Sequence, residues 1–354
     1  MSQNSSQSDQ SLESLPLVTL YLSERCNSRC ITCDYWRNGQ ADMTLEAVTR
    51  LAPDLRALGT RVVLISGGEP LLNREWREIA GFLREQGLQL WLLTSGLSLA
   101  KYVRAASQLF DRVSVSLDGA CRETYAAIRG VDAFEHVLGG IRAAAAAGAP
   151  VGLRVTLQRG NFRELPQFME LARSAGASQI SFLAADVANP HAFARRDGAY
   201  PDVALRRQEL LELAAILEEA FRTHASDFES GLIAEAPRKL WRILEYFTAV
   251  CGLGPYPPVR CNAPEFSAVV DAREGVHPCF FIAGPHEPGA RGTLARALNG
   301  PAMQALRADI RAGTRAECAR CVCSIWRDLN PVTPASFLEI RPGRGPDAAP
   351  ESSP

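Results

Sequence analysis

The stretch LVTLYLSERCNSRCITC, residues 17–33, joins the apolar run Leu17–Leu22 to a loop that carries Cys26, Cys30 and Cys33. An apolar run bounded by polar residues predicts a buried β-strand. The cysteine spacing, C-x3-C-x2-C, places three thiols on one short loop directly after that strand. Three thiolates on one loop can hold three corners of a [4Fe-4S] cluster and leave the fourth iron without a protein ligand. A catalytic metal site needs such an open position, because a substrate or cofactor must reach the metal.

Zinc is the alternative for these three cysteines. Zinc sites prefer two pairs of cysteines, however, and no fourth ligand lies nearby in the sequence. The chain has ten cysteines in 354 residues, and its polar first 14 residues contain no apolar core of a signal peptide. Thiols stay reduced in the cytoplasm, the location we expect here, so a disulfide framework is not predicted. The cysteine groups at the two ends of the chain therefore indicate metal sites.

The composition excludes two classes of partner. Hydrophobic residues make up 47% of the chain, charged residues 22%, and the formal net charge is -1. These values are ordinary for a globular protein, and the basic excess of a nucleic-acid-binding protein is missing. No apolar run approaches the ~18 residues of a membrane span. We therefore expect neither a nucleic-acid partner nor a membrane.

Strand and helix patterns alternate six times between residues 17 and 184. Helix patterns with glycine at their ends separate the strands, and Thr44 is placed to cap the helix pattern Leu45–Leu58. Such alternation predicts a parallel sheet, here an α/β partial (β/α)6 TIM-like barrel rather than a closed eightfold one. The predicted strands are Leu17–Leu22, Arg61–Ile65, Gln89–Leu93, Arg112–Leu117, Val151–Leu157 and Gln179–Leu183.

The pattern changes after Ala184. Two amphipathic helices, Val203–Phe221 and Pro237–Val250, are followed by a Gly/Pro-rich stretch and a hairpin of Phe266–Val270 with Val276–Ile282. The predicted organisation is a disordered N-terminus at 1–15, the barrel at 16–185, a helical connection at 186–250, a small α+β cysteine domain at 251–330, and a largely disordered tail at 331–354.

The cysteine triad on the loop after strand one resembles the signature of the radical S-adenosylmethionine (SAM) superfamily. In that family SAM chelates the open iron through its amino and carboxylate groups. One electron then cleaves SAM to methionine and a 5′-deoxyadenosyl radical, which abstracts hydrogen from a substrate. The residue before the third cysteine is usually aromatic and lies near the adenine. Here it is Thr32, and Tyr35 or Trp36 is the candidate replacement.

The segment Gly67-Gly68-Glu69-Pro70, at the end of the second strand, resembles the element of that family that binds the SAM amino group. Glycines allow a close approach of the backbone, and a carboxylate accepts a charge-assisted hydrogen bond from an ammonium group. An ordinary turn from strand to helix is the alternative.

Polar residues also follow strands three to five. The resemblance implies that Ser95, Ser116 and Asp118 contact the ribose and methionyl ends of SAM, and Arg154 is a candidate for its carboxylate. Hydroxyls and carboxylates at this edge of a β/α sheet are well placed for a ligand. Helix capping is the alternative for the first three residues, and a buried ion pair is the alternative for Arg154.

The second cysteine group consists of Cys261, Cys279, Cys318 and Cys321. Four thiolates make a fully ligated cluster, which suits electron transfer. The spacing resembles that of the twitch domain, a shortened SPASM domain that follows radical SAM barrels and holds an auxiliary [4Fe-4S] cluster. A zinc site of four cysteines is the alternative. Cys251 and Cys323 remain as alternate ligands, hydrogen-atom donors or buried thiols, and Cys121 is expected to be structural.

Three functions are compatible with these patterns, and no catalytic base is identified. The first is the oxidation of a small molecule, with the auxiliary cluster as electron acceptor. The second is the modification of a ribosomally made peptide by a crosslink, thioether or epimerisation. The third is a non-catalytic iron–sulfur or zinc scaffold. The resemblance implies SAM and an electron donor such as flavodoxin or ferredoxin as partners.

Overall fold

The computed structural model describes residues 11–37, 39–189, 192–195, 202–285 and 293–327. Eight strands form one sheet: β1 (Leu17–Ser23), β2 (Val62–Gly67), β3 (Gln89–Thr94), β4 (Arg112–Ser116), β5 (Val151–Leu157), β6 (Gln179–Ala184), β7 (Ser267–Val270) and β8 (Val276–His277). Their order across the sheet is β6-β5-β4-β3-β2-β1-β7-β8.

Strands β1 to β6 are parallel and neighbour each other in chain order. Each observed strand lies within about two residues of the predicted one, because buried strands of Val, Ile and Leu between polar breaks are a strong local signal. The open, mostly parallel sheet confirms the predicted partial barrel. Its carboxyl edge gathers the residues that follow each strand, where β/α enzymes place their sites.

Twelve helices pack around this sheet in the described part of the chain. Pro237–Val250 matches its predicted bounds, and the Thr44 hydroxyl accepts a hydrogen bond from the Ala47 N–H at 3.1 Å, as a helix cap does. The helices are α1 (Leu45–Ala57), α2 (Trp76–Glu85), α3 (Leu99–Leu109), α4 (Arg122–Arg129), α5 (Phe134–Ala146), α6 (Leu165–Ser174), α7 (Leu210–Thr223), α8 (Ala225–Ser230), α9 (Pro237–Val250), α10 (Leu294–Asn299), α11 (Pro301–Ala312) and α12 (Ala316–Ala319).

The C-terminal hairpin extends the barrel sheet. Strand β7 pairs in parallel with β1, from Leu17 opposite Ser267 to Leu20 opposite Val270, and β8 pairs antiparallel with β7. The predicted hairpin is therefore confirmed, although β8 is shorter than expected. This pairing brings the second cysteine region next to the strand that precedes the first cysteine loop.

Described residues before β1 contact both the barrel and the C-terminal region, and the Leu15 N–H donates to the Leu58 carbonyl at 2.8 Å. Leu15 is fully buried, and the Leu12 N–H donates to Asn299 Oδ1 at 2.6 Å. The predicted tail 331–354 lies outside the described residues. Within the described ranges, every helix is too short or too polar to cross a membrane.

Candidate active site

The first cysteine loop leaves β1 at the carboxyl edge of the sheet. Cys26, Cys30 and Cys33 are half-buried, and their thiols interact electrostatically with one another. Burial raises the pKa of Cys26 to about 11 and that of Cys33 to about 12, and it also raises the pKa of Cys30. A nearby cation, Arg129, acts in the opposite direction on all three. The loop thus gathers three thiols beside a buried positive charge.

The Glu69 carboxylate organises the edge next to this loop. It is fully buried and accepts hydrogen bonds from the Ser95 N–H at 2.7 Å, the Ser95 hydroxyl at 2.6 Å and the Thr94 hydroxyl at 2.9 Å. The Leu71 N–H donates to the same carboxylate at 3.1 Å, after the turn that begins at Pro70. The ends of β2 and β3 are therefore joined through one negative charge. Ser95 Oγ also lies 3.1 Å from Asn27 Oδ1 of the cysteine loop.

Gly67 and Gly68 are close to protein backbone. A Cβ on Gly67, whose φ is +122°, would lie 2.7 Å from the Ser23 carbonyl oxygen. A Cβ on Gly68 would lie 2.4 Å from the Arg25 carbonyl oxygen. The Gly68 and Glu69 N–H groups donate to those same two carbonyls, each at 2.8 Å. The close approach that these glycines permit is therefore to the start of the cysteine loop.

Asp118 lies in a buried ion pair. One carboxylate oxygen accepts from Arg129 at 3.0 Å, and the other accepts from the Thr156 N–H at 2.8 Å. Ser116 and Arg154 are paired neighbours on β4 and β5, and Arg154 donates to Ser181 Oγ at 3.2 Å. The structure thus brings Glu69 and Ser95 together, while Asp118 is bound by an arginine that the sequence analysis had not selected.

The second cysteine group lines a cavity beside β1 and β7. The four predicted ligands and Cys323 all line it, surrounded by apolar side chains such as Phe266 and Ile282. Burial raises the pKa of Cys318 to about 11 and that of Cys279 to about 12. Cys251 is not a lining residue of this cavity, and its thiol donates to the Leu205 carbonyl at 3.3 Å. Cys121 is exposed.

Tyr21 lies between the two cysteine groups. Burial, the neighbouring Tyr35 and electrostatic interactions with Cys33 and Cys279 raise its pKa well above the ordinary value. Its ring packs edge-on against Tyr35, with centroids 5.6 Å apart, and stacks on Phe280 at 6.4 Å. One aromatic side chain therefore interacts with a thiol of each group.

The aromatic candidates near the triad have different surroundings. Tyr35 packs on Tyr21, whereas Trp36 lies under the Arg37 guanidinium, 4.5 Å from the ring centroid. The buried Trp36 Nε1 has no hydrogen-bond partner among the described residues. Trp36 thus keeps a free donor beside the cysteine loop.

The thiols of both cysteine groups match the donor type of an iron–sulfur cluster, which cysteine thiolates hold. Throughout the described ranges, no three Cys, His, Asp or Glu side chains are arranged to hold one ion. A zinc ion draws four ligand atoms to about 2.3 Å, whereas each cysteine of a [4Fe-4S] cluster binds its own iron, so the sulfurs lie farther apart. All ten cysteines are free thiols, so none is consumed by a disulfide.

The comparison with protein families addresses the first half of the chain. Residues 20–172 match the radical SAM superfamily. This segment is a radical SAM domain. Members of this superfamily are enzymes that use SAM and a [4Fe-4S] cluster, which confirms both predicted cofactors. The assignment of individual ligands and SAM contacts stays a prediction.

Curated relatives match just under half of the chain. The Fe-coproporphyrin III synthase of Methanosarcina barkeri is 31% identical over 175 residues, which are 47% of this chain and 43% of that protein. A probable GTP 3′,8-cyclase of Saccharolobus solfataricus is 32% identical over 172 residues, which are 47% of this chain and 56% of that protein. The chain spans about half the length of these relatives.

Solved structures extend the likeness of fold into the C-terminal region. SuiB of Streptococcus suis bound to S-adenosylmethionine aligns with a TM-score of 0.67 and 12% identity, covering 90% of this chain and 74% of that one. Native anSMEcpe with bound AdoMet and the Cp18Cys peptide aligns with a TM-score of 0.60 and 15% identity, covering 87% and 89%. At these identities the likeness concerns the fold alone.

Proposed function

We propose that this chain is a radical SAM enzyme that abstracts hydrogen from a small molecule and oxidises it, with a second cluster as electron acceptor. When bound, SAM and the first cluster supply a 5′-deoxyadenosyl radical, and the auxiliary cluster supplies an acceptor for one electron. The substrate then loses one hydrogen atom, one electron and one proton in total, which is a two-electron oxidation. The observation that carries the proposal is the pairing of β1 with β7, which brings the pocket of the second cysteine group next to the strand that leads into the first cysteine loop.

The residues divide into two groups by role. Cys26, Cys30 and Cys33 hold the first cluster and leave one iron open for SAM. Glu69 and Ser95 form the edge that receives the SAM amino group, together with the backbone of Gly67 and Gly68. The hydrogen bonds to the buried Glu69 carboxylate support this assignment, because they fix Ser95 and the turn at Pro70 beside the cysteine loop.

The other predicted contacts involve β4, β5 and the second cysteine group. Ser116 at the end of β4 lies beside Arg154 in the middle of β5, and in our proposal both meet the polar ends of SAM. Asp118 either orients Arg129 or accepts a hydrogen bond from a ribose hydroxyl of SAM. Cys261, Cys279, Cys318 and Cys321 hold the auxiliary cluster in the apolar cavity. Flavodoxin or ferredoxin is the proposed electron donor, and the cytoplasm the proposed location.

Iron analysis after anaerobic reconstitution tests this division of roles. The wild-type chain should bind about eight irons, and the triple variant Cys26→Ala/Cys30→Ala/Cys33→Ala about four, with loss of 5′-deoxyadenosine formation. Cys121→Ala, which removes an exposed thiol, is the matched control and should behave like wild type. Full iron content without SAM cleavage would instead support a scaffold. Four irons in the wild type and none in the triple variant would contradict the auxiliary cluster.

Peptide modification is the second candidate, and the fold likeness favours it. One of the neighbours is SuiB bound to its precursor peptide SuiA, with a TM-score of 0.63 over 89% of this chain. Deuterium transfer into 5′-deoxyadenosine separates the candidates. Transfer from a carbon-deuterated cyclic polyol, with none from deuterated peptides, would support small-molecule oxidation. Transfer from peptides alone would replace it with peptide modification.

A further inference from the structure

The carboxyl end of α4 is seated on the first cysteine loop. The Arg29 N–H donates to the Arg129 carbonyl at 2.9 Å, and the Ile31 N–H donates to the Ile128 carbonyl at 3.0 Å. Gly130 follows with a φ of +67°, and a Cβ there would lie 2.4 Å from the Arg29 carbonyl oxygen. A larger residue would displace the loop, so the helix end and the loop form one fixed unit.

The Arg129 side chain is buried in this unit. The residue is 8% exposed, and its Nη1 donates to Asp118 Oδ2 at 3.0 Å. Its Nε has no hydrogen-bond partner among the described residues. A buried cation with an unused donor is costly unless another group compensates for it. The feature therefore calls for a ligand or charge that faces the guanidinium.

Ionisable groups from the first cysteine loop, the end of β4 and helix α4 interact with the Arg129 guanidinium. Burial alone would lower the pKa of Arg129. Electrostatic interactions with Cys30, Asp118 and Tyr125, in that order of strength, outweigh burial, so the pKa lies above its ordinary value. In return, Arg129 opposes the effect of burial on Cys26, Cys30 and Cys33. The guanidinium is thus paired with Asp118 and also interacts electrostatically with the thiols of the first cysteine loop.

We propose that Arg129 is a positioning residue that stabilises the negative charge of the cluster held by the first cysteine loop, with its unpartnered Nε–H as a donor available to that cluster. This inference rests on the proposed role of Cys26, Cys30 and Cys33 as cluster ligands. Each thiolate contributes a negative charge, and reduction adds another. A fixed cation in a region of low dielectric constant favours the reduced state, because charges interact more strongly there than in water.

Asp118 is what keeps the guanidinium in this orientation. Its second oxygen is bound to the Thr156 N–H on β5, so the ion pair is anchored to the sheet. The arginine uses Nη1 for this contact, which leaves Nε available to the cluster. Hydrogen bonds to cluster sulfurs and nearby charges are the factors by which proteins set the potentials of iron–sulfur clusters.

The test measures the midpoint potential of the first cluster in the full-length reconstituted protein without SAM, by electron paramagnetic resonance at defined potentials. The Arg129→Met variant removes the charge and keeps the chain length. We expect a more negative potential and a loss of about ten- to a hundredfold in the rate of 5′-deoxyadenosine formation. Arg129→Lys keeps the charge and should recover most of the potential. An unchanged potential in Arg129→Met with full iron content would overturn the proposal.

Controls separate this role from a structural one. Arg122→Met, on the exposed face of the same helix and paired with Asp132, should leave the potential unchanged. If Arg129→Met does not fold, Arg129→Gln decides, because it removes the charge and keeps hydrogen-bond donors for Asp118. A more negative potential in that variant supports the proposal, and an unchanged one overturns it. A wild-type protein that binds no cluster at its first loop would instead contradict the proposed function.

Discussion

Ser95 donates two hydrogen bonds to Glu69, one from its backbone N–H at 2.7 Å and one from its hydroxyl at 2.6 Å. With the donors on Thr94 and Leu71, these bonds compensate for a carboxylate that is fully shielded from water. Burying a charge without such partners is very unfavourable. The ends of β2 and β3 are therefore held together by one side chain at the edge where SAM is predicted to bind.

Glu69→Gln should reduce both stability and affinity for SAM. The glutamine NH2 group is a donor, and it would face the N–H and O–H donors that now bind the carboxylate. Buried donors would then lack acceptors, which should lower the free energy of unfolding by about 1–3 kcal/mol. Loss of the charge should also weaken binding of the SAM ammonium group. Urea unfolding and equilibrium dialysis with SAM measure the two effects. Glu75→Gln is the control, because Glu75 caps Leu45 at an exposed position. Equal unfolding of Glu69→Gln and wild type would contradict this account.

Gly68→Ala should disrupt the first cysteine loop. The added Cβ would lie 2.4 Å from the Arg25 carbonyl oxygen, and the nearest atoms all belong to the backbone of Glu24 and Arg25, so the loop must shift. We expect lower retention of iron at the first site, measured as iron per chain after gel filtration. Gly81→Ala in α2 is the matched control, since a Cβ there meets nothing within 4 Å. In a helix interior that change should even stabilise the protein by up to about 1 kcal/mol. Equal iron retention in both variants would show that the Gly68 contact is not needed.

The sequence predicts those parts of the fold that local patterns determine. The six parallel strands and the cap at Thr44 follow from buried apolar runs and from capping chemistry, which act over a few residues. The cysteine spacings also predict both sites, because a triad on one short loop and a second group of cysteines in the C-terminal region are rarely accidental.

Long-range contacts are what the sequence does not reveal. Arg129 ends an ordinary amphipathic helix, its ion-pair partner Asp118 lies before that helix, and Cys30 lies far away along the chain. The pairing of β1 with β7 joins residues about 250 positions apart. Neither feature has a local signature, since each depends on how the completed sheet arranges its edges. In the sequence, Gly130 after Arg129 predicts the end of the helix but not the contacts of the arginine.

Tyr21→Ala should destabilise the fold strongly, whereas Tyr21→Phe should not. The ring is 9% exposed and packs on Tyr35 and Phe280, so its removal leaves a cavity that costs about 3–5 kcal/mol. Phenylalanine keeps the ring and loses only the hydroxyl contact with Tyr35, a loss of about 1 kcal/mol. Urea unfolding of the metal-free protein measures both variants. A small loss for Tyr21→Ala would show that the two cysteine regions are held together by other contacts.

The fifth thiol of the second group gives the last prediction. Cys321 and Cys323 both line the cavity, and the Cys323 N–H donates to the Cys321 sulfur at 3.3 Å. Because that bond comes from the backbone, it survives in Cys323→Ala. We therefore expect Cys323→Ala to keep about eight irons per chain and Cys321→Ala to lose about four. Cys251→Ala should match wild type, since its thiol bonds to Leu205 away from the cavity. The reverse result for the first two variants would assign Cys323 as the ligand in place of Cys321.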